Sequence, residues 1–401
     1  MIDHHVHGVV RSVLPRPAFE LLINEGGWVA PPGTSHFDSS LGAAIRRWCA
    51  PVLGLDPLCP PDTYLGRRAE LGDEANRLLL RAAAGAGLVG AYVDTGHRSG
   101  EVCTPEELGA LAGVPAWEVV RVESVFEEAA AAAAAEGRVA ELPDRWAALL
   151  RRRALTAVGL KSVVAYRHGF DLDPTPPAPG EVVVAVERWL QDAVAGAPGD
   201  RPPRLRVADP VLLRHILWEA AAVGREQRLP LQLHAGFGDA DLDLHRVDPV
   251  VFTPWLRAWR SLDLPVVFLH CWPYHRQAAY LAAIWPSVYF DLGASLNYVG
   301  ARAPAVLAEA LEVAPWSKLL YSSDAFGLAE LVHLGAVAFV RGLDAVLSRW
   351  VESGELTAVD ADRVRSLAGA GNARRLYAGA PGLRASGAGP AGTPGPAAPV
   401  P

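Results

Sequence analysis

The 401-residue sequence predicts an α/β protein of the (β/α)8, or TIM-barrel, class, distorted by a helical insertion after its first strand. Three observations predict it. Eight short apolar runs recur that are too continuous for half-exposed strands and too short for helices, which is how strands covered on both faces read. Helical patterns separate the later runs. Histidines, a lysine and an aspartate stand at the ends of several runs, where the strands of such a barrel open onto a shared mouth.

The expected strands lie at 2–6, 87–94, 117–123, 157–164, 229–234, 264–270, 287–292 and 318–323. The first crossover, at about 26–86, is too long for one helix and is expected to hold several helices or a lid over the site. Seven alanines at 129–135 follow Glu127 and Glu128, and acidic residues at the positive end of the dipole suit a helix there. Later helices are expected at 210–227, 249–262, 275–285, 303–313 and 329–351. The Pro-rich stretches 171–180 and 196–203 read as loops. Residues 381–401 contain eleven Gly and Pro and a single charge, too little to repay their ordering entropy. One barrel domain over 1–380 and a disordered tail are therefore expected.

Hydrophobic residues make up 51% and charged ones 20% of the chain, enough for a large core, which excludes general disorder. Lys plus Arg at 37 against Asp plus Glu at 44 leaves a net charge of -7. No basic excess exists to hold a phosphate backbone, so nucleic acid is not an expected partner. No uncharged apolar stretch reaches the roughly 18 residues of a spanning helix, and the first residues do not resemble a signal peptide. No membrane partner and a cytoplasmic location are expected. The four scattered cysteines (Cys49, Cys59, Cys103, Cys271) suit neither a disulfide framework nor a paired-Cys zinc site and read as small buried hydrophobes.

The chemistry sits at the strand ends. Strand one closes in His5-Val6-His7, whose imidazoles, two residues apart, share a face and can both point into the barrel. Strand four carries Lys161, strand five ends in His234, strand six in His270, and strand eight in Ser323-Asp324. Any one of these alone would be read as a hydrogen-bonded core or loop residue. Five strands together are harder to explain, because unpaired ions buried on a barrel axis cost on the order of several kcal/mol each. A divalent metal centre with six potential ligands is the reading: His5, His7, Lys161, His234, His270 and Asp324.

With its Asp3-His4-His5-Val6-His7 opening, the later histidines, Asp324 and the closing Gly371-Asn372-Ala373-Arg374-Arg375-Leu376-Tyr377, the sequence resembles the amidohydrolase superfamily from residue 2 to about 377. The segments Gly159-Leu160-Lys161-Ser162, His234-Ala235-Gly236-Phe237-Gly238-Asp239 and Tyr321-Ser322-Ser323-Asp324-Ala325-Phe326-Gly327 are similar to the amidohydrolase-related (amidohydrolase 2) branch that includes the N-terminal part of FluG-type proteins. The resemblance implies a stand-alone metal-dependent hydrolase domain. It also implies that Asp324 both touches the metal and takes the proton of an attacking water. In some branches the strand-four lysine is carbamylated and bridges two metals. For Lys161 this stands beside a plain ammonium that binds a substrate carboxylate or pairs with an acid such as Glu123.

Imidazole and carboxylate donors suit Zn²⁺, with Mn²⁺ or Fe²⁺ as alternatives and one or two ions. His5, His7, His234 and Asp324 form the minimal set, and His270 either ligates a second ion or stabilises an oxyanion. The expected substrate is a small molecule cleaved at a C–N bond of an amide or amidine, with Arg167 and Tyr166 as anchors for an anionic group and Asp239 and Glu123 as further contacts. A metal-dependent decarboxylase and a non-catalytic binding protein on the same scaffold are the alternatives. A homo-oligomer is left open. Trp28, His36, Asp38 and Tyr64 in the first crossover, and His97, are candidate pocket residues.

Overall fold

The structure is a computed structural model and describes residues 1–195 and 205–385. Seven parallel strands follow one another in chain order: β1 (Ile2–Val6), β2 (Gly90–Asp94), β3 (Ala116–Arg121), β4 (Gly159–Ser162), β5 (Leu231–Ala235), β6 (Val266–His270) and β7 (Val288–Phe290). Every residue of β1, β2, β4, β5 and β6 is buried. Helices cover the outside and side chains fill the inside, so these strands needed continuous apolar runs. Seven of the expected strands are present with trimmed ends. Glu123, expected in the third, lies instead in the following helix, Val122–Ala135.

The eighth position is not a regular strand, yet it closes the circuit. Leu320 donates to Phe290 O at 3.0 Å on the β7 side, while His4 donates to Tyr321 O at 3.1 Å and Asp324 to His5 O at 3.1 Å on the β1 side. The ladder breaks because a side chain occupies it: Ser323 N–H donates to Asp3 Oδ1 at 3.0 Å and Ser323 Oγ to Asp3 Oδ2 at 2.5 Å. Asn372 secures the start of this segment, its Nδ2 donating to Trp316 O at 2.8 Å and Leu319 O at 2.7 Å. The closing Asn-Ala-Arg-Arg-Leu-Tyr motif is thus a clasp on the barrel.

The first crossover holds the helices Ser40–Trp48, Pro61–Leu71 and Asp73–Gly85. The last of these packs beside the long helix Ala329–Glu352. Arg68 Nε reaches Glu330 Oε1 of that helix at 2.6 Å, and the Tyr64 hydroxyl donates to the same oxygen at 2.9 Å. This part of the crossover buttresses the flank of the barrel. The strip just before it, from Leu21 to Gly27, supplies residues to the mouth.

Three other expectations are corrected. The helix expected at 249–262 is broken into Pro249–Phe252, Thr253–Ala258 and Arg260–Leu262. Residues Pro381–Ala385 are not tail but a short helix with Gly382 and Leu383 buried, tethered by Gly382 N–H to Ala157 O at 3.1 Å. The rest of the expected tail and the loop at 196–203 lie outside the described residues. Finally, Ala329–Glu352 is long and apolar enough to cross a membrane by composition, with mean hydropathy 1.5 over its best window, of which 61% is buried. A search for charge-free runs passes over it because Arg341 and Asp344 interrupt it, and its burial is that of a core helix.

Candidate metal centre

His5 and His7 are held as neutral ligands by hydrogen bonds on their far sides. His7 Nδ1 stands 3.1 Å from the Asp94 carbonyl oxygen, which can only accept, so this nitrogen carries the proton and Nε2 presents a lone pair. His5 Nδ1 lies 2.9 Å from Gln232 Oε1. The Gln232 amide is oriented by donating from Nε2 to His4 O at 2.8 Å and to the Tyr377 hydroxyl at 2.9 Å, so His5 Nδ1 donates and its Nε2 presents a lone pair, which Lys161 Nζ meets at 2.9 Å. Burial holds both imidazoles well below their usual pKa.

Asp324 faces these rings. Its Oδ1 lies 3.2 Å from His5 Nε2 and 3.7 Å from His7 Nε2, and its Oδ2 lies 3.3 Å from His270 Nδ1. Burial raises its carboxyl, with Lys161 opposing. Both contributing turns are strained: Asp324 has φ 50° and His270 φ 70°, left-handed values that cost a non-glycine residue about 1–3 kcal/mol each. The His270 turn is pinned by its own N–H donating to Asp291 Oδ1 at 2.7 Å, and Asp291 Oδ2 in turn holds His4 Nε2 at 2.7 Å.

Lys161 does not pair with Glu123. Its Nζ lies 2.9 Å from His5 Nε2 and 3.7 Å from Asp94 Oδ2. Burial lowers its pKa, and Asp94 opposes the change. Asp94 also accepts from Arg121 Nη2 at 2.6 Å. Glu123 is buried elsewhere, taking Ser162 Oγ at 2.5 Å and Val163 N–H at 3.0 Å, and so ties down the end of β4 instead of meeting substrate.

The donor set fits a divalent cation. The atoms of His5, His270 and Asp324 lie within 4.8 Å of one another, as do those of His5, His7 and Asp94. His234 Nε2 and both ring nitrogens of His270 are buried without hydrogen-bond partners, an expensive condition that a metal relieves. Burial keeps both rings neutral. His234 is not in either of these groups of donor atoms, although its ring stands 4.7 Å from that of His270 and 4.3 Å from that of Tyr166. The expected minimal set therefore has His270, not His234, nearest to His5 and Asp324.

Above these residues opens a cavity of about 660 Å³. Tyr166, Arg167 and Asp239 line it, with His97, Arg121, Glu25 and Tyr298. Trp28, His36, Asp38 and Tyr64 do not: Trp28 is 54% exposed and meets His36 edge-on, Asp38 is exposed, and Tyr64 is buried on the flank. Sequence reasoning missed Asp94, Arg121, Gln232, Asp291 and Glu25. Asp94 had a signal, since it ends the second expected strand just as His234 ends the fifth. The others had none of that kind.

A family model described as Amidohydrolase matches residues 118–379, well over half the chain. The protein belongs to the amidohydrolase family. This amidohydrolase-family chain is 32% identical to the protein fluG of Emericella nidulans over 225 residues, covering 55% of its own length but only 25% of that relative. It therefore spans about a quarter of the curated relative it matches. Its fold is that of a protein assigned as a metal-dependent hydrolase from Lactobacillus casei ATCC 334, with TM-score 0.77, 24% identity and 94% of both chains covered. The uronate isomerase of Thermotoga maritima shares the fold more loosely, with TM-score 0.59, 13% identity and 94% of both chains.

Proposed function

We propose that this amidohydrolase-family protein is a metal-dependent hydrolase that cleaves a C–N bond of an amide or amidine in a small molecule. The observation that carries this reading is the carboxylate of Asp324, held against three neutral imidazoles at the floor of a roomy cavity. His5, His7, His270 and Asp324 would hold the ion, with His234 beside them, and zinc suits this mixture of nitrogen and oxygen donors. A divalent ion bound there supplies a lowered water pKa, from 15.7 to about 7, and polarises a substrate carbonyl.

The chain's own groups do the remaining work. Asp324, made more basic by burial and kept ionised by the neighbouring Lys161 charge, accepts the proton of the attacking water and returns it to the departing nitrogen. Lys161 is taken as an ammonium and not a carbamate: a carbamate would set a second anion beside Asp94, and like charges at that range oppose each other. This reading favours one ion per chain. The cavity walls orient the substrate and restrict solvent around the reacting bond.

The test is purified protein stripped with chelator and reloaded separately with zinc, manganese and iron, its ion content measured, and assayed on amides, amidines and lactams. Metal-dependent release of amine or ammonia upholds the reading. Metal-dependent CO2 release from carboxylated substrates without any hydrolysis replaces it with the lyase. Tight retention of ligands with no product replaces it with a binding protein.

A further inference from the structure

Two arginines at the β3–β4 side of the cavity are left with donors that the protein does not use. Arg121 leaves the end of β3 and gives Nε and Nη2 to one oxygen, Asp94 Oδ2, at 3.1 and 2.6 Å. Its Nη1 has no acceptor among the described residues. The loop after β2 is pressed onto its stem, since a Cβ on Gly96 would fall 2.3 Å from Arg121 Cβ. Arg167 gives Nη2 to Glu127 Oε1 at 3.0 Å with its side chain only 10% exposed, and its Nη1 is buried with no partner.

Both guanidinium groups line the cavity, as does Arg206, and burial together with the charges of Arg206 and Arg121 lowers the Arg167 pKa. Of the carboxylates beside them, Asp94 and Glu127 are taken up by Arg121 and Arg167 themselves, while Glu123 uses only Oε1 and leaves Oε2 unpartnered. A planar guanidinium fork is matched by a two-oxygen anion, which would fill both vacant donors and relieve the repulsion between the cations. Two carboxylates also line the cavity, Glu25 and Asp239; burial raises both, Glu25 to about 7, and neither forms an ion pair with a cation among the described residues. A second negative group on the substrate would meet them and be repelled.

We infer that the substrate is a monoanionic amide whose carboxylate is held by Arg167 and Arg121, while its other end, neutral or basic, points toward Glu25 and Asp239. This deepens the hydrolase reading and rests on it. Arg167 and Arg121 are specificity determinants here, and Asp94 and Gly96 position Arg121.

The experiment is calorimetry on the full chain, metal-loaded and chelator-treated, with benzoate, benzamide, benzylamine and inorganic phosphate as probes. The expected result is that benzoate binds both forms while benzamide and benzylamine bind at least about tenfold more weakly, as for loss of a charge-assisted pair. Arg167→Met is expected to weaken benzoate by about the same factor with ion content unchanged, and to lower the melting temperature because Glu127 loses its partner. Arg167→Gln serves if the Met variant does not fold.

Benzoate binding seen only in the metal-loaded form would assign the anion to the ion and overturn the site. So would binding that is unchanged in the Arg167 variants, preference for benzylamine, or phosphate binding more tightly than benzoate. Binding is read here without turnover. A chain that binds benzoate through Arg167 but cleaves no amide would uphold this site and refute the hydrolase reading. Cleavage of amides with no carboxylate preference would do the reverse.

Discussion

Asp94 Oδ2 stands 3.7 Å from Lys161 Nζ, joining the ends of β2 and β4 by charge across the intervening β3. The same carboxylate serves Arg121, so one buried anion is shared by two buried cations. Asp94→Asn would leave both cations without it. Breaking a buried pair from one side costs about 3–5 kcal/mol, and urea unfolding of the variant is expected to show a loss in that range. A change below 1 kcal/mol would mean that Asp94 does not carry the charges assigned to it.

Asp324→Asn keeps the shape of the side chain and removes its basicity. If Asp324 takes the proton from water, turnover falls by about 10²–10⁴-fold, the range of general base catalysis, and KM changes little. Steady-state kinetics beside ion analysis of the same sample separate loss of the base from loss of the metal. Full activity in the Asn variant would remove Asp324 from the mechanism.

Gln232 touches neither cavity nor ion, yet its Oε1 sets the tautomer of His5. Gln232→Leu deletes that acceptor and also removes one of the two partners of the Tyr377 hydroxyl, leaving His4 Nδ1 at 3.0 Å. Such outer partners are worth about 10–100-fold in metal affinity, and competition with a chromogenic chelator is expected to show a loss in that range. Unchanged affinity would show that the backbone alone orients His5.

Arg68 and Glu330 lie far from the mouth, with side chains 4% and 0% exposed and 2.6 Å apart. Arg68→Met is expected to cost about 3–5 kcal/mol by stranding Glu330, while kcat stays at the wild-type value. The double change Arg68→Met, Glu330→Leu removes both charges and is expected to recover most of that loss. Denaturation of these two variants and of Glu330→Leu closes the cycle, and failure of the double variant to recover would mean that packing, not charge, is the main role of Arg68.

Much of this was legible in the chain. Buried parallel strands demand unbroken apolar runs, so seven of them can be found by eye, and residues at their ends must open on one face of the barrel. His5, His7, Lys161, His234, His270 and Asp324 were found on that ground. Glu123 was misplaced because a helix begins at Val122, one residue before the expected strand end, and carries the side chain to Ser162 and Val163.

Strand alternation separates His4 from His5. In the structure the pairing of β1 with β2 slips between Asp3 and Val6, and the adjacent His4 and His5 both reach Gln232. Local pattern cannot reveal a slip that is set by the neighbouring strand. The irregular eighth strand has the same origin, because the side chain of Asp3 takes backbone donors from residues 320 positions away. Composition and periodicity determined which residues are apolar, which strands are buried and which ends carry chemistry, since these depend on near neighbours. Tautomers, charge partners and vacant donors were decided only by tertiary structure, because each depends on an atom supplied from a distant part of the chain.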